Sequence, residues 1–347
     1  MSPTWAQTVA ELRDLPAKPR RVTGPSNWLN VATLVAEYAT TVPPLVHRLT
    51  LPFRTYPAPF KKVQFRARDG ARLVGWLGRA GPEPRDAILL LPGLYTSKDN
   101  PRIRARAIRI LREWGFHVLC LDLRGVGESE RTYSTPGWKE AEDIIDTIAY
   151  LRQHAPTRRI HLYAESLAAS AAIVAAGRQA EAGRRLLEGR IVAMSPFADA
   201  GRIVELYGHA NPRSAKLGPD FAAVQRTFNL LLRLQGYRGG RFDAYIRDGA
   251  KHYGIDLDEL LRRSSPAHYM ADLNVPLLVV HSRDDGLVPV AEAEALHEHA
   301  EGNPHAAVWI LPWGYHCLYE MAEPTWYWSV LERVFRDRSS TDGRAHA

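Results

Sequence analysis

The sequence predicts an α/β protein: a mostly parallel sheet with helices on both faces, interrupted by a helical insertion. Three observations predict it. Short continuous apolar runs such as "AILLLPG" and "HVLCLDLRG" have the length and composition of strands buried on both faces. They alternate with segments of helical periodicity, the rhythm of β-α-β units. Between about residues 197 and 270 the rhythm stops, with helical pieces, glycines at 236, 239 and 240 and no clear strand.

The elements follow in order. Residues 1–60 read as a separate N-terminal arm, one or two helical pieces ending in the proline-rich connector "TLPFRTYPAPF". From Lys62, "KVQFRA" and "RLVGWL" alternate around Asp69-Gly70, a hairpin with a tight turn. After "AILLLPG", Ile103, Ala107, Ile110 or Leu111 and Trp114 recur at helical spacing. "HVLCLDLRG" is the next strand, and Trp138 to Gln153 a helix with Ala141, Ile144, Ile148 and Leu151 on one face. "RIHLY", "LAASAAIVAAG" and "RIVAMSP" continue as strand, helix, strand. After the insertion come strand "VPLLVVHS", helix "AEAEALHEHA", strand "AVWILPW" and a final helix from Trp326 to Phe335. The expected division is 1–60 arm, 61–196 core, 197–270 helical cap, 271–338 core again, and a disordered tail over 339–347.

Composition narrows the function classes. The chain of 347 residues is 46% hydrophobic and 24% charged, ordinary for a globular protein with a sizeable core. Its net charge of +7 comes from 38 Arg and 7 Lys against 38 acidic residues, scattered along the whole length. No basic block interleaved with aromatics offers a nucleic-acid groove. Scattered arginines read as solvated helix faces, with weak affinity for anionic surfaces, peripheral membrane contact included, as the alternative. Cys120 and Cys317 form no C-x-x-C pair, and Cys120, in an apolar run, reads as a buried thiol. Trp28 to Val46 is too polar and too interrupted to span a bilayer, and the first residues lack a basic-then-apolar signal pattern. The expectation is a cytoplasmic protein.

Four loops outside the carboxyl ends of the strands carry candidate chemistry. In "LYAESLAAS", Ser166 sits between strand and helix, with Ala164 and Ala168 where a nucleophile elbow usually has glycine. Glycine fits such a turn best, and alanine adds one methyl on each side. A serine at a helix start is also an ordinary N-cap. The second loop, "RDDGLVP", supplies an acid at the end of a late strand. Asp285, four residues before Pro289, is preferred over Asp284, which reads as a turn brace. The third, "LPWGYHCLYE", places His316 just past a strand. Ser166, Asp285 and His316 thus appear in the chain order Ser…Asp…His, each at a strand end. The fourth, "LLLPGLYTSKD", could give a backbone N–H that joins that of Leu167 in an oxyanion hole. Leu94 is the expected donor and Tyr95 its rival.

On these motifs, residues about 62 to 338 resemble the α/β-hydrolase superfamily. The run "FDAYIRDGAKHYGIDLDELLRRSSPAHYMADLNVPLLVVHSRDDGLVP" looks most like its YheT-like esterase branch. The resemblance implies an α/β-hydrolase fold with a helical cap, and a serine hydrolase acting on a small-molecule ester through an acyl-enzyme. Ser166, His316 and Asp285 would be nucleophile, base and orienting acid, with no metal or cofactor. Thioester hydrolysis or acyl transfer by the same triad, and a non-catalytic binding protein on this fold, are the alternatives. A stripe of Phe221, Val224, Phe228 and Leu231 or Leu232 in the cap would face either the domain body or an acyl chain.

Overall fold

In a computed structural model, residues 4–19, 55–94, 96–208, 225–227, 229–230, 233 and 241–336 are described. Eight strands form one sheet: β1 (Phe60–Arg66), β2 (Arg72–Gly78), β3 (Arg85–Leu91), β4 (His117–Asp122), β5 (Thr157–Glu165), β6 (Ile191–Met194), β7 (Leu277–Ser282) and β8 (Ala306–Leu311). Their order is β1-β2-β4-β3-β5-β6-β7-β8. The β1–β2 and β2–β4 pairs are antiparallel and the remainder parallel. The expected hairpin is present, with its turn over residues 67–71. The Ala67 N–H donates to Ala71 O and Gly70 takes φ 91°, a value that a side chain would resist.

The helices are α1 (Trp5–Arg13), α2 (Pro101–Arg109), α3 (Trp138–His154), α4 (Leu167–Glu181), α5 (Ala200–Gly208), α6 (Phe242–His252), α7 (Leu257–Arg263), α8 (Val290–His299), α9 (Tyr319–Ala322) and α10 (Pro324–Phe335). Helix α2 runs on through one wider turn, Ile110–Trp114, and stops at Gly115 with φ 66°. Successive strand side chains point to opposite faces, so each strand feeds two cores. Leu89 and Leu91, Leu119 and Leu121, and Leu162 pack with α3, α4 and α8 on one face. Ile88 and Leu90, Val118 and Cys120, and Tyr163 pack with α1, α2 and α10 on the other. Central strands covered on both sides can be apolar at every position, which is why their runs carry no alternation. Ala141, Ile144, Ile148 and Leu151 are buried on the inner face of α3, as their spacing requires.

Between β6 and β7 the chain builds a third apolar cluster. Ile203, Val204, Leu206 and Tyr207 of α5 meet Phe242, Ile246 and Ala250 of α6, Leu260 of α7, and Phe197 and Val288 from loops at the sheet's carboxyl end. Ties to the loop before α3 fix α6. The Ser134 N–H donates to Tyr245 Oη at 2.9 Å, and Thr132 Oγ1 and Tyr253 Oη lie 2.8 Å apart. The stripe of Phe221, Val224, Phe228 and Leu231 or Leu232 lies outside the described residues. No described helix is long and apolar enough to cross a membrane.

Candidate active site

Strand β5 ends at Glu165 and α4 begins at Leu167, so Ser166 alone turns the chain from sheet to helix. It does so at φ 53° and ψ −122°, a conformation that an L-residue resists by about 1–3 kcal/mol. Backbone bonds on both sides hold it there. The Ser166 N–H donates to Met194 O of β6 at 2.8 Å, and the Ser170 N–H donates to Ser166 O at 3.1 Å, opening the helix. Its side chain accepts no N-cap bond. Ala164 and Ala168 are fully buried and fit within the core beneath the turn. Gly93, in the loop after β3, leans against the same turn. A Cβ added there would lie 2.9 Å from Ser166 Cβ and 3.2 Å from Glu165 O, too close for any side chain.

The loop after β7 separates its paired acids. Asp284 is exposed, and Asp285 is buried with a relative accessibility of 8%. Asp285 Oδ1 accepts from the Leu287 and Val288 N–H groups at 2.9 and 2.8 Å, which fixes the carboxylate against its own loop. His316 Nδ1, from the loop after β8, approaches Oδ2 at 2.8 Å and Oδ1 at 3.0 Å. A second histidine stands behind: His281 on β7 donates to Val288 O at 3.0 Å and lies 3.7 Å from Asp285 Oδ2. Burial pushes the Asp285 carboxyl up, but His316 beside it, with His281 and the Val288 amide, outweighs this and holds it below the usual range. Burial pulls His316 down, yet the facing Asp285 carboxylate raises it well above the ordinary 6.5. That direction follows from a cation favoured beside a buried anion.

His316 sits in a strained loop. Tyr315 and Cys317 on either side both take positive φ, 50° and 56°, and Gly314 takes φ 122° with the Tyr319 ring where a Cβ would be. Cys317 Sγ points at Met194 O at 3.5 Å. His316 and Ser166 line one cavity at the carboxyl end of the sheet. Leu94 and Leu167 line it too, and Leu167, as the first residue of α4, has an amide with no partner in its own helix. Tyr95 lies outside the described residues. The structure therefore brings all five expected residues to one place.

The remaining wall is mostly apolar, with Thr96 an exception. Phe197, Ile203, Tyr207, Phe242, Leu287 and Val288 contribute to it. One further charged side chain borders the cavity: Glu165, beside Ser166 in sequence, which the sequence reading passed over. Its Oε1 accepts from Arg106 Nη1 at 2.9 Å and from Tyr163 Oη at 2.8 Å. Burial pushes this carboxyl up, and the Arg106 guanidinium more than offsets it, so Glu165 is held below the usual value. Among the described residues, no group of three or more His, Cys, Asp and Glu side chains could hold a metal ion.

Known proteins resemble this chain in sequence or in fold. The uncharacterized protein YfhR of Escherichia coli K12 is 24% identical over 268 residues, 74% of this chain and 77% of its own length. YfhR of Salmonella typhi is 24% identical over 244 residues, 70% of each chain. Among solved structures, the Pyrococcus furiosus esterase Pf2001 superposes with a TM-score of 0.57 at 22% identity, over 80% of this chain and 92% of its own. Est1E of Butyrivibrio proteoclasticus, solved with ferulic acid bound, gives 0.52 at 17% identity over 78% of this chain and 99% of its own. At such identities the structures speak for the fold alone: this is an α/β-hydrolase fold. The family profile reaches further, matching residues 82–323, from just before β3 to just after α9. The chain belongs to the Hydrolase_4 family of α/β-hydrolases, described as serine aminopeptidase, S33.

Proposed function

We propose that the protein is a serine ester hydrolase that works through an acyl-enzyme on esters with an apolar acyl group. Ser166 Oγ attacks the ester carbonyl carbon and gives its proton to His316 Nε2, while Nδ1–H donates to Asp285. The carbonyl oxygen, now an anion, accepts from the amides of Leu94 and Leu167. When the tetrahedral adduct collapses, the C–O bond to the alcohol breaks and His316 returns the proton to the leaving oxygen. Water then repeats the sequence on the acyl-enzyme and frees the acid. The observation that carries this reading is His316, 2.8 Å from the buried Asp285 and lining one cavity with a serine held at φ 53°.

Helices α5, α6 and α7 we take as the cap, since their shared apolar cluster reaches the cavity through Ile203, Tyr207 and Phe242. A nearest likeness to the YheT-like esterases belongs to the same proposal. It rests on Phe242-Asp243, Ser265-Pro266 and Asp284-Asp285 as they stand in the sequence. Ester rather than peptide cleavage is favoured by Glu165. An aminopeptidase would need a carboxylate for the substrate's ammonium. Glu165, the one acidic side chain lining the cavity among the described residues, already has Arg106 as its counter-ion and accepts from Arg106 and Tyr163 through Oε1.

The test is labelling with a fluorophosphonate, which reports an activated serine whatever the substrate. Ser166 should be the residue modified, and Ser166→Ala should lower hydrolysis of a short p-nitrophenyl ester by about 10⁴-fold or more. Modification at Ser170 or Ser195 instead, or full activity in the alanine variant, would sink the mechanism.

A further inference from the structure

Behind the cavity, α2 reaches both loops that the proposed reaction depends on. Arg106 is wholly buried, with its guanidinium 4.5 Å from the centre of the Tyr163 ring and 5.2 Å from that of Tyr327. Its Nη1 donates to Glu165 Oε1 at 2.9 Å, at the residue preceding Ser166. Its Nη2 donates to Glu320 Oε2 at 2.9 Å, four residues after His316. Glu320 is in turn held by Trp328 Nε1 on α10 at 3.0 Å. One turn earlier on α2, Arg102 Nη1 donates to Cys317 O, next to His316, at 3.1 Å.

Such a cation is a poor choice for stability alone. Burying it forfeits hydration that an ion pair recovers only in part, and an apolar side chain of like volume is often as good or better. Here the cost is greater still, because Arg106 Nε is buried with no hydrogen-bond partner among the described residues. What an apolar side chain could not do is bond two carboxylates, one at the end of β5 and one in α9, in one rigid, planar fork. The chain beside each carboxylate is strained, at Ser166 next to Glu165 and at Tyr315 and Cys317 before Glu320. Strained loops hold their shape only when their surroundings fix them.

We propose that Arg106 is a positioning residue: by holding Glu165 and Glu320 at once, it sets the placement of Ser166 relative to His316. The inference rests on the roles proposed above for those two residues.

The experiment measures kcat and KM for p-nitrophenyl butyrate, the rate of fluorophosphonate labelling and the Tm, for Arg106→Met, Arg106→Lys and Glu320→Ala. Arg159→Met, which breaks the ion pair with Asp86 at the opposite end of β3 and β5, is the stability control. Misplacing reacting groups by about an ångström costs on the order of 100-fold, so Arg106→Met should lose about 100-fold in kcat and in labelling rate, with KM within about threefold. Glu320→Ala frees only the histidine loop and should lose about tenfold. Lysine keeps the charge without the fork and should recover only part of the loss. Arg159→Met should lower Tm and leave kcat within about twofold, because it lies far from the cavity. A folded Arg106→Met or Glu320→Ala whose kcat stays within about threefold, or whose loss lies wholly in KM, overturns the proposal. If Arg106→Met fails to fold, Glu320→Ala decides. If wild-type protein is not labelled at Ser166, the hydrolase reading falls and takes this inference with it. Labelled wild type beside unaffected variants sinks this inference alone.

Discussion

Asp284 and Asp285 are chemically identical neighbours, and their surroundings give them different work. The first is exposed on the turn, whereas the second receives two loop amides and the imidazole of His316. Asp285→Asn would keep the size of the side chain but remove the charge and favour the wrong tautomer of His316. Its kcat should fall by about 10⁴-fold. Asp284→Asn changes only a solvated group and should leave kcat within about threefold. The reverse ranking would show that the acid lies one residue earlier. The same pair sets the pH response. In the proposed reaction His316 must be neutral to accept the proton of Ser166, and Asp285 raises its pKa above 6.5. Activity is therefore full above that raised pKa and lost as pH falls through it. The acid limb of a kcat/KM profile should lie above 6.5, the ordinary value, and Asp285→Asn should shift the limb of the residual activity downward. A wild-type limb at or below the ordinary value would mean that burial outweighs the aspartate at this histidine.

At the scale of an element, the junction of β5 and α4 explains how alanines serve where glycines are usual. Ala164 and Ala168 lie fully buried in the core shared by β5 and α4, which takes a methyl at each position. Ala168→Gly should weaken the protein, since glycine inside a helix costs about 1 kcal/mol relative to alanine and the lost buried methyl about 0.8 kcal/mol more. The denaturant midpoint should therefore fall, while activity stays within about tenfold because no oxyanion amide changes. A gain of several hundredfold would mark the native elbow as impaired and favour a binding protein. Strands and elbow were legible in the sequence because burial on both faces, and a serine between strand and helix, leave local patterns. Arg106 is harder to see in the sequence, because its partners are tertiary. In "PRIRARAIRI" it looks like one of many scattered arginines, yet Ile103, Arg106, Ala107 and Ile110 share one helical face, and all four are buried. A charge inside an apolar stripe was the signal available. Glu165 left less trace, since the position before an elbow serine follows no local rule and its partner arrives from 59 residues away.

Across the whole molecule, a sheet end that carries the loops of the proposed site is bordered by helices inserted between two of its strands. Those helices have a core of their own, and part of it faces the cavity: Ile203 and Tyr207 from α5 and Phe242 from α6, opposite Leu287 and Val288 of the acid's loop. Such a wall can recognise a substrate only by the water that leaves it, so its selectivity should follow the length of an apolar chain. Each methylene buried there contributes about 0.8 kcal/mol, close to fourfold in kcat/KM. For p-nitrophenyl esters, kcat/KM should thus rise from acetate to at least hexanoate. If Ile203 borders the space the chain enters, Ile203→Phe should shorten the preferred ester and Ile203→Ala should lengthen it. Opposite shifts from one position cannot come from lost stability, since both substitutions disturb the packing and would move every ester the same way. Equal rates across the ester series, or a preference for acetate in all three proteins, would reduce the helices to a cover and leave the apolar wall without a role in choosing substrate.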